Sequence, residues 1–342
     1  MRWGLTRILV TSASHLFSDY LFSSEGIHCY NLFKHLEKDG YHFDIITPFS
    51  QVQSPLSNVN TYQTCGIKPS RNMTLSHKYE FHFNFLMKGT LIANKLLKAN
   101  DYDIIHHMLP SVYAQTFSPL AILKKKLSKP FVFGPISCHF YRRPIDERFL
   151  MPITARLHLK TVSKCDKIIA LNEFVKKLYN ELIDDNNISI IPFGVDETLF
   201  FPKKKQNEKS PFEILYVGSL IKLKGISYLI KALPSILEKE PNLLLRIVGE
   251  GVQKQFLQRL ANKLNISKNV IFEGYVPHFN TAKFFQRCDV FCFPTLGEPF
   301  GKSIIEAMAC GRAVIATNIG GPSKIISNGV NGILVPPRNE IA

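Results

Sequence analysis

The densest set of residues that could do chemistry is Phe293-Pro294-Thr295-Leu296-Gly297-Glu298-Pro299-Phe300-Gly301-Lys302-Ser303-Ile304-Ile305-Glu306. A β-type run ends at Pro294, a loop with two glycines carries Glu298, and a segment of helical period opens near Lys302 and Ser303. Gly297 and Gly301 allow a ligand to approach the backbone, and a helix start offers unpaired N–H groups and the positive end of its dipole to a phosphate. Glu306 follows about one turn into that helix, while Glu298 approaches from the loop. Carboxylates beside a phosphate site do not bind phosphate. They accept hydrogen bonds from hydroxyl groups, such as those of a ribose and a sugar.

A second stretch, Leu215-Tyr216-Val217-Gly218-Ser219-Leu220-Ile221-Lys222-Leu223-Lys224-Gly225, reads as a strand running into a glycine turn, with Lys222 and Lys224 ahead of the next helix. Lysines leaving the carboxyl edge of a strand are placed to neutralise a diphosphate leaving group. Gly249-Glu250-Gly251 also follows a strand, but Lys254 stands where a dinucleotide fingerprint needs its third glycine, which counts against an NAD-dependent oxidoreductase. Asp101-Tyr102-Asp103 has the spacing of a divalent-metal motif; placed just before a strand, it reads as a structural turn. The seven cysteines are odd in number and contain no Cys-x-x-Cys pair, which points to free buried thiols in a reducing cytoplasm rather than a disulfide framework or zinc site.

The elements that must position these residues alternate along the whole chain. Expected strands in the first half are Arg7–Thr11, Phe43–Thr47, Asp103–His107, Phe131–Gly134, Lys167–Leu171 and Ile188–Ile191, with helices near 26–38, 85–98, 119–127, 153–163 and 174–183. The second half repeats the pattern with strands at Glu213–Val217, Leu243–Val248, Val270–Glu273, Val290–Phe293, Ala313–Thr317 and Gly332–Val335. Its helices fall near 227–238, 253–264, 281–287, 303–309 and 323–327. Such alternation specifies α/β domains with parallel sheets. A polar segment without period, running from Asp196 to Pro211, reads as a linker. This gives a first domain over 1–196, a linker over 197–211 and a second domain over 212–342. Thr47–Ser76 reads as a long irregular loop of the kind that carries function.

With 45% hydrophobic residues and 26 Phe, the 342-residue chain is too apolar for a disordered protein. It has no apolar run of the roughly 20 residues that a spanning helix requires, and its start lacks the apolar core of a signal peptide. The net charge of +15 is spread over both halves, with 23 basic against 17 acidic residues up to residue 200 and 19 against 10 beyond it. Clusters occur at Lys124–Lys129, Arg142–Arg148 and Lys203–Lys205. No zinc-finger, RRM or KH signature accompanies them, so the charge points to phosphorylated substrates or an anionic membrane surface and away from nucleic acid.

Glu298 and Glu306 within Glu-Pro-Phe-Gly…Glu-Ala-Met-Ala-Cys-Gly, the preceding Asp289–Thr295 run, and the following Gly320-Gly321-Pro322 and Asn331–Pro337 together resemble the retaining GT-B glycosyltransferases of glycosyltransferase family 4. Val217-Gly218-Ser219-Leu220 with Lys224-Gly225, and Ile191-Pro192-Phe193-Gly194-Val195-Asp196, are similar to the same family. The resemblance is dense over about 190–337 and continues in order from residue 7. It implies two Rossmann-like parallel-sheet domains facing across a cleft, and glycosyl transfer from a nucleoside-diphosphate sugar to a carbohydrate or lipid-linked hydroxyl acceptor, without a metal or other cofactor. By the same resemblance Glu306 holds the ribose, Glu298 the donor sugar or reacting face, and Lys224, helped by Lys222, the diphosphate. The backbone of Phe300, Gly301, Lys302 and Ser303 contacts sugar and phosphates, and Gly218, Ser219 and Gly249 line the nucleotide. Ser219 departs from the family, many of whose members have Arg there.

In the first domain the family's glycine-rich turn is reduced to Ser23-Ser24-Glu25-Gly26, which leaves Gly26 as a diphosphate or acceptor contact. Phe131–Ile136 resembles a Gly-Pro strand end of one family branch, and His139 just beyond it is expected near the reacting carbon. Of His106 and His107, one is expected to be buried and satisfied and the other to lie near the acceptor. Acceptor choice is expected in Thr47–Ser76 and around Cys138–Arg148, with peripheral contact at the cytoplasmic membrane face through the basic clusters. The competing reading is a non-catalytic subunit of GT-B shape that binds a nucleotide sugar or acts as a scaffold. Similar proteins continue past Val335-Pro336-Pro337 through further helices, so a short or truncated second domain is expected.

Overall fold

Runs such as Ile8-Leu9-Val10 and Leu243-Leu244-Leu245 are apolar at successive positions and therefore need cover on both faces, which parallel sheets flanked by helices provide. The computed structural model describes residues 6–13, 17–18, 24–66, 75–108, 118, 120, 128–136, 151–203 and 211–341. The chain divides into two compact units, Met1–Pro192 and Phe193–Ala342. The first contains β1 (Arg7–Ala13), α1 (Ser24–Glu37), β2 (His42–Thr47), β3 (Val59–Gln63), α2 (Leu75–Ala99), β4 (Ile104–Met108), β5 (Phe131–Ile136), α3 (Met151–Val162), β6 (Lys167–Ala170), α4 (Glu173–Tyr179) and β7 (Ile188–Ile190). The second contains β8 (Phe212–Val217), α5 (Ile226–Leu237), β9 (Leu243–Val248), α6 (Lys254–Lys263), β10 (Val270–Gly274), α7 (His278–Arg287), β11 (Val290–Phe293), α8 (Lys302–Ala309), β12 (Ala313–Thr317), α9 (Pro322–Ile325) and β13 (Ile333–Val335).

Every strand pairs in parallel. The sheet orders are β3-β2-β1-β4-β5-β6-β7 and β10-β9-β8-β11-β12-β13. Both are Rossmann-like, and both reverse direction once, between β1 and β4 and between β8 and β11. Open α/β sheets bind ligands outside the carboxyl ends of the strands at such a switch point. In the first unit much of the chain that follows β1 and β4 lies outside the described residues; in the second, both loops are described.

The second core joins Tyr216, Leu245, Phe285, Phe291, Ile304 and Val314 across both faces of its sheet. The first is anchored at the amino ends of its strands by Asp44, which is fully buried and accepts bonds from Arg7 Nε (2.9 Å) and Nη2 (2.7 Å), Asn60 Nδ2 (2.9 Å) and Tyr102 Oη (2.7 Å). The Asp101-Tyr102-Asp103 turn feeds this cluster. Tyr102 bonds Asp44, Asp103 accepts from the Arg7 backbone at 2.8 Å, and Asp101 pairs with Lys129 at 2.7 Å.

Four features of the structure bear on the sequence expectations. Thr47–Ser76 contains β3, an edge strand whose Val59, Asn60 and Thr61 pair with Phe43, Asp44 and Ile45; it carries too few apolar residues to read as a strand, and Asn60 ties it to Asp44 instead. α1 begins at Ser24, so Gly26 occupies the first turn of a helix and not a glycine turn. Both histidines make bonds within the protein: His107 is buried, with Nδ1 2.9 Å from Thr11 Oγ1 and its ring stacked on Phe133, and the half-buried His106 donates from Nε2 to Gly134 O at 2.8 Å. Burial lowers His106 to about 4 against the opposing effect of that bond, so the ring is neutral at pH 7. Finally, the expected linker starts inside the second unit. Asp196 Oδ1 accepts from Thr198 N (3.0 Å) and Oγ1 (2.6 Å), and the turn it closes inserts Phe200, 1% exposed, into the second core.

The six described cysteines are unbridged. Among the described residues, no helix is long and apolar enough to cross a membrane.

Candidate functional site

The switch point of the second sheet is built by two loops that hold each other. After β8, Gly218 N donates to Val248 O at 3.0 Å and Leu220 N to Glu250 O at 2.9 Å, while Gly249 N donates to Gly274 O at 2.8 Å. The candidate nucleotide turns at Gly218 and Gly249 are thus one bonded layer along the carboxyl edge of β8, β9 and β10. Tyr216 Oη donates to Ser219 O at 3.1 Å and fixes the turn from below. Burial pushes this phenol well above its ordinary value, and the Glu298 charge adds to the effect, so Tyr216 stays a neutral donor. Ser219 itself is exposed.

Lys222, Leu223 and Lys224 form a 3-10 turn ended by Gly225 in the left-handed region (φ 65°). The reason for glycine there is close approach: a Cβ at 225 would lie 1.9 Å from Pro294 O. Leu296 N donates to Leu223 O at 2.8 Å, and Thr295 Oγ1 bonds the same carbonyl at 3.3 Å, so the lysine turn is stitched to the loop that follows β11. Thr295 also receives Gly297 N at 3.2 Å and thereby shapes the Glu298 loop.

That stitching brings two sequence-predicted residues into contact. Lys224 Nζ donates to Glu298 Oε2, and the ammonium lies 5.5 Å from the centre of the Phe293 ring. The two side chains are 19% and 15% exposed, so the pair is largely shielded from water, where an ion pair is strongest and unpaired charge most costly. Lys222 is exposed and makes no ion pair among the described residues.

The Glu298–Phe300 segment is gripped from behind by Gly320 and Gly321, with Gly321 N donating to Glu298 O at 2.6 Å. A Cβ at 321 would lie 2.2 Å from Phe300 O, which explains the glycine pair of the sequence motif. Phe300 is 8% exposed and meets Phe193 edge to face at 5.3 Å. Gly301 then turns the chain into α8, which no side chain caps; the N–H groups of Lys302 and Ser303 have no partner among the described residues. An uncapped helix start of this kind attracts an anion.

Glu306, 4% exposed, sits one turn along α8. Its Oε1 accepts from His278 Nε2 at 2.8 Å, and Lys302 Nζ stands 4.0 Å away. Sequence reasoning missed His278 because it started α7 at Thr281. Pro277 ahead of His278 is a helix-start signal that would have found it, and Thr281 Oγ1 closes the first turn onto His278 O at 2.6 Å.

The second unit therefore brings together Lys224 with Glu298, Gly218 with Gly249, and Glu306 with the start of α8 formed by Phe300, Gly301, Lys302 and Ser303. Gly26 lies in α1 of the first unit, and His139 lies outside the described residues.

Comparison with known proteins agrees with this architecture. The profile described as Glycosyltransferase Family 4 matches residues 26–199, and that described as Glycosyl transferases group 1 matches 197–342. An uncharacterized glycosyltransferase of Methanocaldococcus jannaschii is 29% identical over 331 residues, covering 92% of this chain and 81% of the relative. Among solved structures, sucrose-phosphate synthase from Thermosynechococcus elongatus aligns with a TM-score of 0.73 at 20% identity over 98% of this chain and 87% of its own. HepE from Anabaena, solved in complex with UDP, aligns at 0.65 and 17% over 98% and 87%. At those identities the structures bear on the fold, which is GT-B. Two parallel Rossmann-like sheets, family motifs at the switch point of the second, and family profiles across both units make this chain a member of the group 1, family 4 glycosyltransferases.

Proposed function

We propose that the protein transfers a sugar from a nucleoside-diphosphate sugar to a hydroxyl acceptor with retention of the anomeric configuration. The observation that carries this reading is the grouping, at one switch point, of an uncapped helix start for phosphate, a shielded lysine for the leaving group and a buried carboxylate for hydroxyls. The bond from the anomeric carbon to the diphosphate oxygen breaks as the bond to the acceptor oxygen forms, and the departing phosphate takes the acceptor proton. Lys224 and the Lys302 and Ser303 amides neutralise charge that grows on the leaving group, so they act more strongly on the transition state than on the bound donor. Glu298, paired with Lys224 in the absence of ligand, accepts from sugar hydroxyls once the diphosphate draws the ammonium away. Neither metal nor other cofactor enters this scheme.

The acceptor is proposed to be a lipid-linked or cell-surface saccharide precursor met at an anionic membrane. Phe83, Met87 and Leu91 support this by forming an exposed stripe along α2, 64%, 48% and 68% accessible, on one helical face with Lys88, Lys95 and Lys98 nearby.

The test is release of nucleoside diphosphate from a panel of labelled nucleotide sugars, beginning with UDP-sugars. Glu306→Ala and Lys224→Ala should remain folded and lose roughly 100-fold or more in turnover, the scale for removing one charge-stabilising group. Absence of binding and turnover across the panel would sink the proposal, and an inverted product by NMR would sink its stereochemistry. The exposed Ser219, where many relatives carry Arg, favours a second reading as a non-catalytic nucleotide-sugar-binding subunit, for which binding without release is the signature.

A further inference from the structure

We infer that His278 is a positioning residue for Glu306, holding its carboxylate in the orientation that receives the ribose hydroxyls of the donor; this rests on the donor reading above. A carboxylate that is 4% exposed is costly unless its charge is compensated, and compensation here falls on one oxygen. Oε1 accepts a hydrogen bond from His278 Nε2 at 2.8 Å and lies 4.0 Å from Lys302 Nζ. Oε2 has no partner among the described residues, which leaves it as the acceptor for a ligand. A carboxylate bonded at one oxygen cannot spin about its terminal bond, so the free oxygen is aimed before the ligand arrives and less ordering remains to oppose binding.

The imidazole is itself held in place. Phe200, 1% exposed, lies against the His278 ring with centroids 5.3 Å apart, and Phe285 backs Phe200 at 5.8 Å. The ring sits at the start of α7, where Thr281 Oγ1 bonds the His278 carbonyl and fixes the first turn. A residue needed only to fill space would not require an N–H directed at a buried carboxylate one turn into the helix whose uncapped start is proposed to take phosphate. Glutamine, whose amide can donate from a similar reach, should serve; leucine should not.

The experiment is calorimetric titration of the full chain with UDP, ADP and GDP, followed by the tightest of these against its 2′,3′-dideoxy form. Wild type should bind the ribose form roughly 10-fold or more tightly than the dideoxy form, the scale of a charge-assisted hydrogen bond. His278→Ala should shrink that ratio to about threefold or less, mainly by weakening the ribose form, and His278→Gln should restore it. If His278→Ala does not fold, His278→Leu replaces it in the comparison. Discrimination that is as strong in the folded Ala or Leu variant as in wild type, or that Gln fails to restore, overturns the role of His278 alone. A wild type that binds none of the three diphosphates, or binds ribose and dideoxy forms equally, overturns the donor reading and this inference with it.

Discussion

Asp44 and Glu306 are both buried carboxylates, and their surroundings assign them different work. Burial raises the Asp44 carboxyl, but the bonds from Asn60, Tyr102 and Arg7 outweigh it and hold the group below the ordinary value. A carboxylate depressed in the folded state stabilises the fold above its unfolded value and loses that contribution as pH falls through the folded one. Melting temperature should therefore drop as the pH is taken below about 4, and Asp44→Asn should flatten that acid limb. Asp44→Ala, which strands the Arg7 charge, should cost about 3 kcal/mol at neutral pH in denaturant titration. Glu306 is bonded by His278 at one oxygen only, and its second oxygen has no partner among the described residues. Sequence reading singled out Glu298 and Glu306 from their types and local spacing and Lys224 as a lysine leaving a strand, and the structure sets Lys224 against Glu298, 74 residues away. Sequence reading missed His278 because a contact between the starts of two helices 28 residues apart leaves no periodic trace.

Elements of the second sheet were legible almost residue by residue. β9, β11 and β12 stand where their apolar runs predict, since a strand buried on both faces can be little else. Edge elements were not legible: β3 is half polar and owes its place to Asn60 and Asp44, and α2 extends ten residues ahead of its apolar period. Glycines in the loops make a sharper test of the site. At Gly225 and Gly321 an added Cβ meets a backbone carbonyl that cannot move aside, whereas at Gly329, which like Gly225 has a positive φ (76°), it meets nothing within 4 Å. Gly225→Ala and Gly321→Ala should each lose about 3 kcal/mol or more and weaken nucleoside diphosphate binding. Gly329→Ala should cost only about 1 kcal/mol and bind normally. Equal thermal shifts for the three variants would contradict the close-packed loops described for the site.

At the scale of the whole molecule, two parallel-sheet domains followed from the alternation of elements, but the boundary between them did not. Polar composition suggests a linker, while Asp196, Phe193 and Phe200 carry the packing that claims its first part for the second unit. The charge of +15 and the α2 stripe belong at this scale too. Sedimentation with vesicles should require anionic lipid and weaken at high salt, and Leu91→Ser with Phe83→Ser should reduce it without affecting nucleoside diphosphate binding. Vesicle binding indifferent to lipid charge, salt and these substitutions would remove the membrane from the proposal.

The segment that enters the second unit at Phe193 has a practical meaning for anyone separating the two halves. Phe193 braces Phe300 and Phe200 braces His278, so a second half produced from Phe212 onward would keep its sheet but lose both of these supports. The natural cut is after Pro192, where the chain passes between the two compact units, and a half that starts at Phe193 keeps both ring contacts.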